Sequence, residues 1–211
     1  MTSDDRPGGS RDSYHHGNLR EALIAAALTM IAERGLAGFA ISEIARAVGV
    51  SPAAPYRHFR DRNALLAEVA RRGFQSLGAD MEAASASARA DPVAALERCA
   101  KAYLAFARRE PATFTAMFDG PADPDAALRQ AQDAAIAVIR RAADAACANA
   151  PGRPPAMMVA LHVWSLAHGI ATLFVLRDEV GQARRLPVPP DDLLEAGLYL
   201  YVQALGMAGP R

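Results

Sequence analysis

Apolar residues recur at helical spacing along almost the whole chain, and the interruptions between them are short. Leu23, Ala27, Met30 and Ile31 form one stripe and predict a helix that Asn18 caps and Gly35 ends. Ile41, Ile44, Ala45 and Val48 then repeat at i, i+3, i+4 and i+7, which predicts a short second helix. Gly49 stops it, because glycine takes the left-handed conformation after a helix without a Cβ clash. Ser51 offers the next N-cap, and Pro52 sits at the first helical position, where its missing N–H costs nothing. Pro55 falls at the fourth position and removes one early backbone bond, which a first turn tolerates. Two short helices about a tight glycine turn predict a helix-turn-helix, whose second helix enters the DNA major groove N-terminal end first.

The same reading carries on to the C-terminus. Asp61 caps a helix over Arg62–Ser85, and Asp91-Pro92 opens one to Arg109 with Leu96, Cys99, Tyr103 and Phe106 inward. Glu110-Pro111 opens a short helix in which Phe114, Met117 and Phe118 cluster. Asp125–Asn149 is alanine-rich, with Leu128, Ile136 and Ile139 expected to be buried. Met157–Arg177 and Asp191–Met207 predict the last two helices. Strand-like runs of Val, Ile, Thr and Tyr are absent, so the expected fold class is all-α. Residues 1–13, rich in Asp, Ser, Gly and Arg, read as a disordered tail.

A chain of 211 residues suits one or two domains with a substantial core. Its formal net charge is zero, so only the distribution of charge is informative. Residues 46–62 hold four Arg against one Asp, which focuses positive charge on the predicted helix-turn-helix, as phosphate binding requires. Ser51, Pro52, Ala53 and Ala54 are small enough to let the backbone approach base edges, while Tyr56, Arg57, His58 and Arg62 can donate to phosphate. Tyr14, His15 and His16 could form an arm against DNA. Cys99 and Cys147 belong to no Cys-x-x-Cys pair and are read as buried thiols. The chain opens without an apolar signal segment, so a cytoplasmic protein is expected.

Several blocks together resemble the N-terminal domain of TetR-family transcriptional regulators. They are Tyr14-His-His-Gly-Asn-Leu-Arg-Glu-Ala-Leu, Ala32-Glu-Arg-Gly, Ile44-Ala, Val48-Gly-Val-Ser, Tyr56-Arg-His-Phe and Leu65-Leu. The likeness spans about residues 14 to 72. Trp164-Ser-Leu-Ala-His168-Gly169 is similar to the Trp/His-Gly motif of one subgroup of the family's C-terminal domains. The resemblance implies a helix-turn-helix DNA-binding domain over 14–60 and a helical regulatory and dimerisation domain over 61–211. It also implies an operator, a small-molecule effector and a homodimer formed by the last two helices, with no cofactor and no metal. Ala40 departs from the family, which has Ser or Thr as the cap there. Ser42 stands where relatives often carry a longer polar or basic residue able to reach phosphate.

For the effector, the resemblance points to a pocket of Phe74, Leu77, Met81, Tyr103, Phe106, Phe114, Met117, Phe118, Trp164, His168 and Thr172. Plain core packing explains most of these residues individually. Trp164 and His168 share a helix face, and Gly169 within the helix suggests a close approach of another helix. Two other functions are weighed against the regulator. An enzyme is disfavoured, because the sequence has no glycine-rich phosphate loop, no Gly-x-Ser-x-Gly elbow and no metal-ligand spacing. A membrane or adaptor protein would use Met157–Leu176, twenty residues without a formal charge, but a buried bundle helix has the same composition.

Overall fold

The computed structural model describes residues 11–88, 90–120, 123–148, 150, 152, 154–176 and 187–207, with backbone alone for 11–18. Regular structure among these residues is entirely helical. The order is α1 (Arg11–Arg34), α2 (Ile41–Ala47), a 3-10 turn (Ala54–Arg57), α3 (Arg62–Ala86), α4 (Pro92–Arg109), α5 (Pro111–Phe118), α6 (Ala126–Cys147), α7 (Ala156–Ile170) and α8 (Pro190–Ala204). A π turn, Ala171–Val175, extends α7.

The caps follow from side-chain chemistry. Asp61 Oδ1 accepts from the Ala64 N–H at 2.8 Å, and Asp125 Oδ1 from Leu128 N–H at 2.8 Å. Asp91 Oδ1 accepts from Val93 and Ala94, with Pro92 at the first helical position. Ala40 has no oxygen to offer α2, but Glu43 reaches back to accept from the Ala40 N–H at 2.8 Å. Half of a capping box therefore survives the alanine. At the other end of α2, Gly49 has φ +73°, and the N–H groups of Gly49 and Val50 bond back to Arg46 and Ala45. That pair of bonds is a Schellman motif, and it needs the left-handed residue that glycine supplies.

Three expectations fail. α1 starts at Arg11, so Asn18 lies inside it rather than before it, and residues 11–13, expected in the tail, are helical; residues 1–10 of that tail lie outside the described residues. Ile136 is only half-buried, and Val138 takes the inward position beside Ile139. The third helix does not form from Ser51. An α-helix capped there would need the residue-55 N–H to bond the Ser51 carbonyl, and Pro55 has none. The Ala54 N–H bonds that carbonyl instead, at 3.0 Å, giving i to i+3 geometry. Pro55, expected to be tolerated, thus turns the segment into one 3-10 turn and is itself buried.

Two cores result. The first joins Leu23, Ala27, Met30 and Ile31 of α1 with Phe39, Ile44, Phe59 and the start of α3. The second joins α3 to α8, with Phe74, Leu77, Met81, Leu96, Tyr103 and Phe106 among its buried members. α5 belongs to both: Ala116 is buried in the first, whereas Phe114 and Met117 lie in the second. Gly73 is what lets α5 approach α3 so closely. A Cβ there would stand 2.5 Å from Met117 Sδ and 2.7 Å from Thr113 Cγ2. Cys99 and Cys147 are both buried, and burial pushes the Cys99 thiol up to about 12, so it holds its proton at neutral pH.

Candidate nucleic-acid interface and aromatic cluster

The turn between α2 and α3 presents the sequence-predicted DNA residues as one surface. Ser42, Ser51, Pro52, Ala53, Tyr56 and Arg57 are exposed, and Ala54 is half-buried. Tyr56 is 53% exposed although it is a large ring, so its hydroxyl is free to meet a phosphate. Arg46, at the end of α2, is exposed as well, as is Arg60, which pairs with Asp61 at 3.0 Å. Arg46 was legible in the sequence, since it follows Ile44-Ala45 and must point away from that buried face.

His58 and Arg62 are less available than their chemistry suggests. His58 Nε2 is buried without a partner, which leaves only Nδ1 to reach outward. The Arg62 guanidinium lies 4.5 Å from the centre of the Phe39 ring, and its Nε is buried and unpartnered. That stacking holds the start of α3 against the first core. Arg62 also lines a crevice with Leu36, Ala37, Asn63, Leu66, Asp119 and Gly120, so it stands where the first core meets the end of α5. The side chains of Tyr14 and His15, expected as a DNA arm, lie outside the described residues.

A partly buried ionic cluster ties α1 to α3. Glu68 accepts from Arg20 Nη1 at 2.9 Å, from Arg71 Nε and Nη2 at 2.8 Å each, and from Arg72 Nε at 2.7 Å. Arg72 also grips Glu21 of α1 with both terminal nitrogens, at 2.6 and 2.7 Å. Burial by itself would raise the Glu68 pKa. The hydrogen bonds from Arg71, Arg20 and Arg72 outweigh it and hold the carboxyl well below the usual carboxylate range. Sequence inspection missed this cluster, because Arg20 and Glu68 are 48 residues apart.

The residues expected around the effector gather in one place and pack on one another. Phe74, Leu77, Met81, Tyr103, Phe106, Phe114 and Met117 are buried, Phe118, Trp164 and His168 half-buried, and Thr172 exposed. Phe74, Phe114, Phe118, Tyr103, Trp164 and His168 form a continuous ring cluster, with centroids 4.5–6.4 Å apart. Leu77, Met81 and Phe106 extend the core around it. Thr172 points elsewhere, since its hydroxyl donates to the carbonyls of His168 and Gly169. At the cluster's centre the Tyr103 hydroxyl and His168 Nδ1 are 2.8 Å apart. Burial pushes the Tyr103 hydroxyl far up and the His168 imidazole below its ordinary value, Asp119 pulling the latter weakly the other way. Both are neutral at pH 7.

The apolar helix Ala156–Val175 is long enough to cross a membrane. Its face of Val159, Ala160, Val163, Ala167 and Ile170 is nevertheless buried against the rest of the protein. Its other face exposes Met157, Met158, Leu161 and Leu173. Gly169, expected at a close approach, has nothing within 4 Å of an added Cβ; the close approach is at Gly197 of α8, against Leu166.

Comparison with known proteins accounts for both halves. No curated protein matches the sequence. A protein of unknown function from Rhodococcus sp. RHA1 is 31% identical, covering 93% of this chain and 100% of its own, with a TM-score of 0.76. PfmR, a TetR-family transcriptional regulator from Thermus thermophilus, shares the fold at 21% identity, covering 86% and 97%, with a TM-score of 0.67. AibR, solved with isovaleryl coenzyme A and operator DNA, shares it at 16% identity, covering 86% and 96%, with a TM-score of 0.65. The family model for bacterial regulatory proteins of the TetR family matches residues 23–69, which contain α2, the exposed turn and the start of α3. The model for the tetracyclin repressor-like C-terminal domain matches residues 96–201, half of the chain and all of α5, α6 and α7. With its exposed turn under one model and its aromatic cluster largely under the other, the chain belongs to the TetR family of ligand-responsive, DNA-binding transcriptional regulators.

Proposed function

We propose that this regulator is a cytoplasmic repressor that binds a palindromic operator as a homodimer and is released by a small, largely apolar ligand. It performs no catalysis in this reading. The observation that carries it is the double membership of α5. Ala116 packs with the helix-turn-helix core while Phe114, Met117 and Phe118 of the same eight-residue helix pack with the aromatic cluster. A ligand that displaces Phe118 must therefore shift a helix on which the DNA-binding core rests.

α3 carries the shift onward. Arg62 stands at its DNA end, and Phe74, Leu77 and Met81 lie further along it. A dimer reading successive major grooves needs its recognition elements about 34–36 Å apart, so a tilt of a few degrees spoils the match. A ligand acts only through unequal affinity for the two spacings, and a coupling of about 1–3 kcal/mol gives roughly a 5- to 150-fold loss of DNA affinity. AibR holds an acyl coenzyme A and an operator in one structure. This chain's cluster has an aromatic lining, and its one basic ring, His168, is held neutral by burial, which suits a ligand without phosphates.

Selection of bound DNA from a random pool tests the reading. The expected product is an inverted repeat with half-site centres about 10 base pairs apart, and an asymmetric site would overturn the dimer. Arg57 provides the companion test of the interface, because it is exposed and makes no stabilising contact with Phe39 as Arg62 does. Arg57→Ala should weaken binding to every sequence and lower the salt slope by about one. Altered base preference at an unchanged slope would show that Arg57 reads bases instead.

A further inference from the structure

We propose that the cluster around Tyr103 and His168 is a site for a neutral aromatic ligand bearing a hydroxyl, a phenol, which inserts that hydroxyl between the two side chains. The proposal rests on the ligand-responsive reading above and assigns the chemical class of the effector.

The polar centre sets the class. Tyr103 is fully buried and its hydroxyl meets His168 Nδ1 at 2.8 Å. With both groups neutral, the pair consists of one donor and one acceptor facing each other. A group that replaces this bond without leaving a buried orphan must both accept and donate, as a hydroxyl does. A carboxylate only accepts, and no Lys or Arg belongs to the cluster to offset its charge. An ammonium only donates, and the carboxylate acting on His168 is that of Asp119, which is exposed and screened by water.

The surroundings set the shape. Phe114 lies nearly parallel to the His168 ring at 5.6 Å, and Phe118 packs on both the His168 and the Trp164 rings, so the surroundings are flat and favour a flat ligand. Phe118, Trp164 and His168 are half-buried, which leaves the cluster reachable from solvent. Two further features mark the spot as adaptable. Gly169, next to His168, has no heavy atom within 4 Å of an added Cβ, and α7 changes to π geometry at Ala171. Such π turns concentrate at functional sites, where they re-aim side chains.

Trp164 is the only tryptophan of the chain, so its fluorescence reports on this cluster alone. The full-length protein is titrated with 4-butylphenol, with 4-butylbenzoate and with 4-butylbenzylammonium, and operator binding is measured in the same samples. The expected result is saturable quenching by the phenol, about tenfold tighter than by either charged analogue, with loss of operator binding. Tyr103→Phe combined with His168→Leu, which removes both partners and leaves neither orphaned, should weaken the phenol by about tenfold. If a thermal melt shows that variant unfolded, the methyl ether 4-butylanisole, which accepts but cannot donate, makes the same comparison on the wild-type protein and should bind about tenfold more weakly than the phenol. Equal or tighter binding of a charged analogue, no saturable phenol response, or undiminished phenol affinity in the folded variant overturns the assignment. A protein that binds its operator but ignores the phenol defeats the ligand class alone. A protein that binds no operator defeats the regulator reading, whatever the phenol does.

Discussion

Leu161→Glu combined with Leu200→Glu is expected to produce a folded monomer whose operator affinity is lower by about 100-fold or more. Two linked half-site contacts gain roughly 10²- to 10⁴-fold over one, and that gain disappears with the dimer. The two leucines belong to neighbouring stripes. His162 Nδ1 and the Tyr201 hydroxyl are 2.7 Å apart, and Leu166 lies against Gly197, so α7 and α8 run antiparallel side by side. Met157, Met158 and Leu161 of α7 and Tyr199 and Leu200 of α8 are all large, apolar and exposed, with Leu200 at 68%. A patch of this kind marks an interaction surface. Because both leucines face water in the isolated chain, glutamate there costs the fold little, whereas in an interface each would be an unpaired buried charge. Light scattering gives the mass and a salt-matched operator titration the affinity. A variant that remains dimeric with unchanged affinity would remove α7 and α8 from the interface.

Glu68→Gln should cost about 3 kcal/mol of stability, because it leaves three guanidinium groups without their shared carboxylate. For a chain of this size that is a fall in Tm on the order of 8 °C. The pH dependence separates this cause from poorer packing. The folded-state pKa of Glu68 is depressed from the usual 4.5, so the unfolded chain takes up the proton first as pH falls. The contribution is therefore complete above about pH 4.5 and drains away below it. Wild-type Tm should fall progressively as the pH drops below about 4.5, and the Gln variant should follow a shallower course with a smaller gap at the acid end. Parallel curves would mean that Glu68 acts through shape and not charge. The surface pairs Lys101–Glu195 and Arg109–Asp80 are more exposed and should each contribute far less.

Much of this architecture is written locally. Asp61, Asp91 and Asp125 each sit one residue before a helix they cap, and a cap needs only its own next three residues to act. Gly49 is the same kind of signal, since the left-handed turn after α2 excludes other side chains whatever surrounds it. The exposed residues Ser51, Pro52, Ala53, Tyr56 and Arg57 were legible because they are small or donor-bearing beside an apolar-periodic helix. Even the failed third helix was present in the sequence: Pro55 lacks the one N–H that the Ser51 carbonyl needed, and that loss outweighs the Ser51 cap.

What the linear order determined, then, is the helices, most of their ends, the exposed turn after α2 and the family, because each depends on contacts within a few residues or on a motif. Tertiary structure alone decided the rest. Glu68 is shared by arginines from two helices, Ala116 and Phe118 place one short helix in two cores, and the Tyr103 hydroxyl meets an imidazole 65 positions away. It also decided that Gly169 faces open space and Gly197 a leucine, since a glycine carries no side chain to signal its neighbour. Long-range pairs leave no period in the sequence, and their energy comes from desolvation and geometry that exist only once the helices have packed.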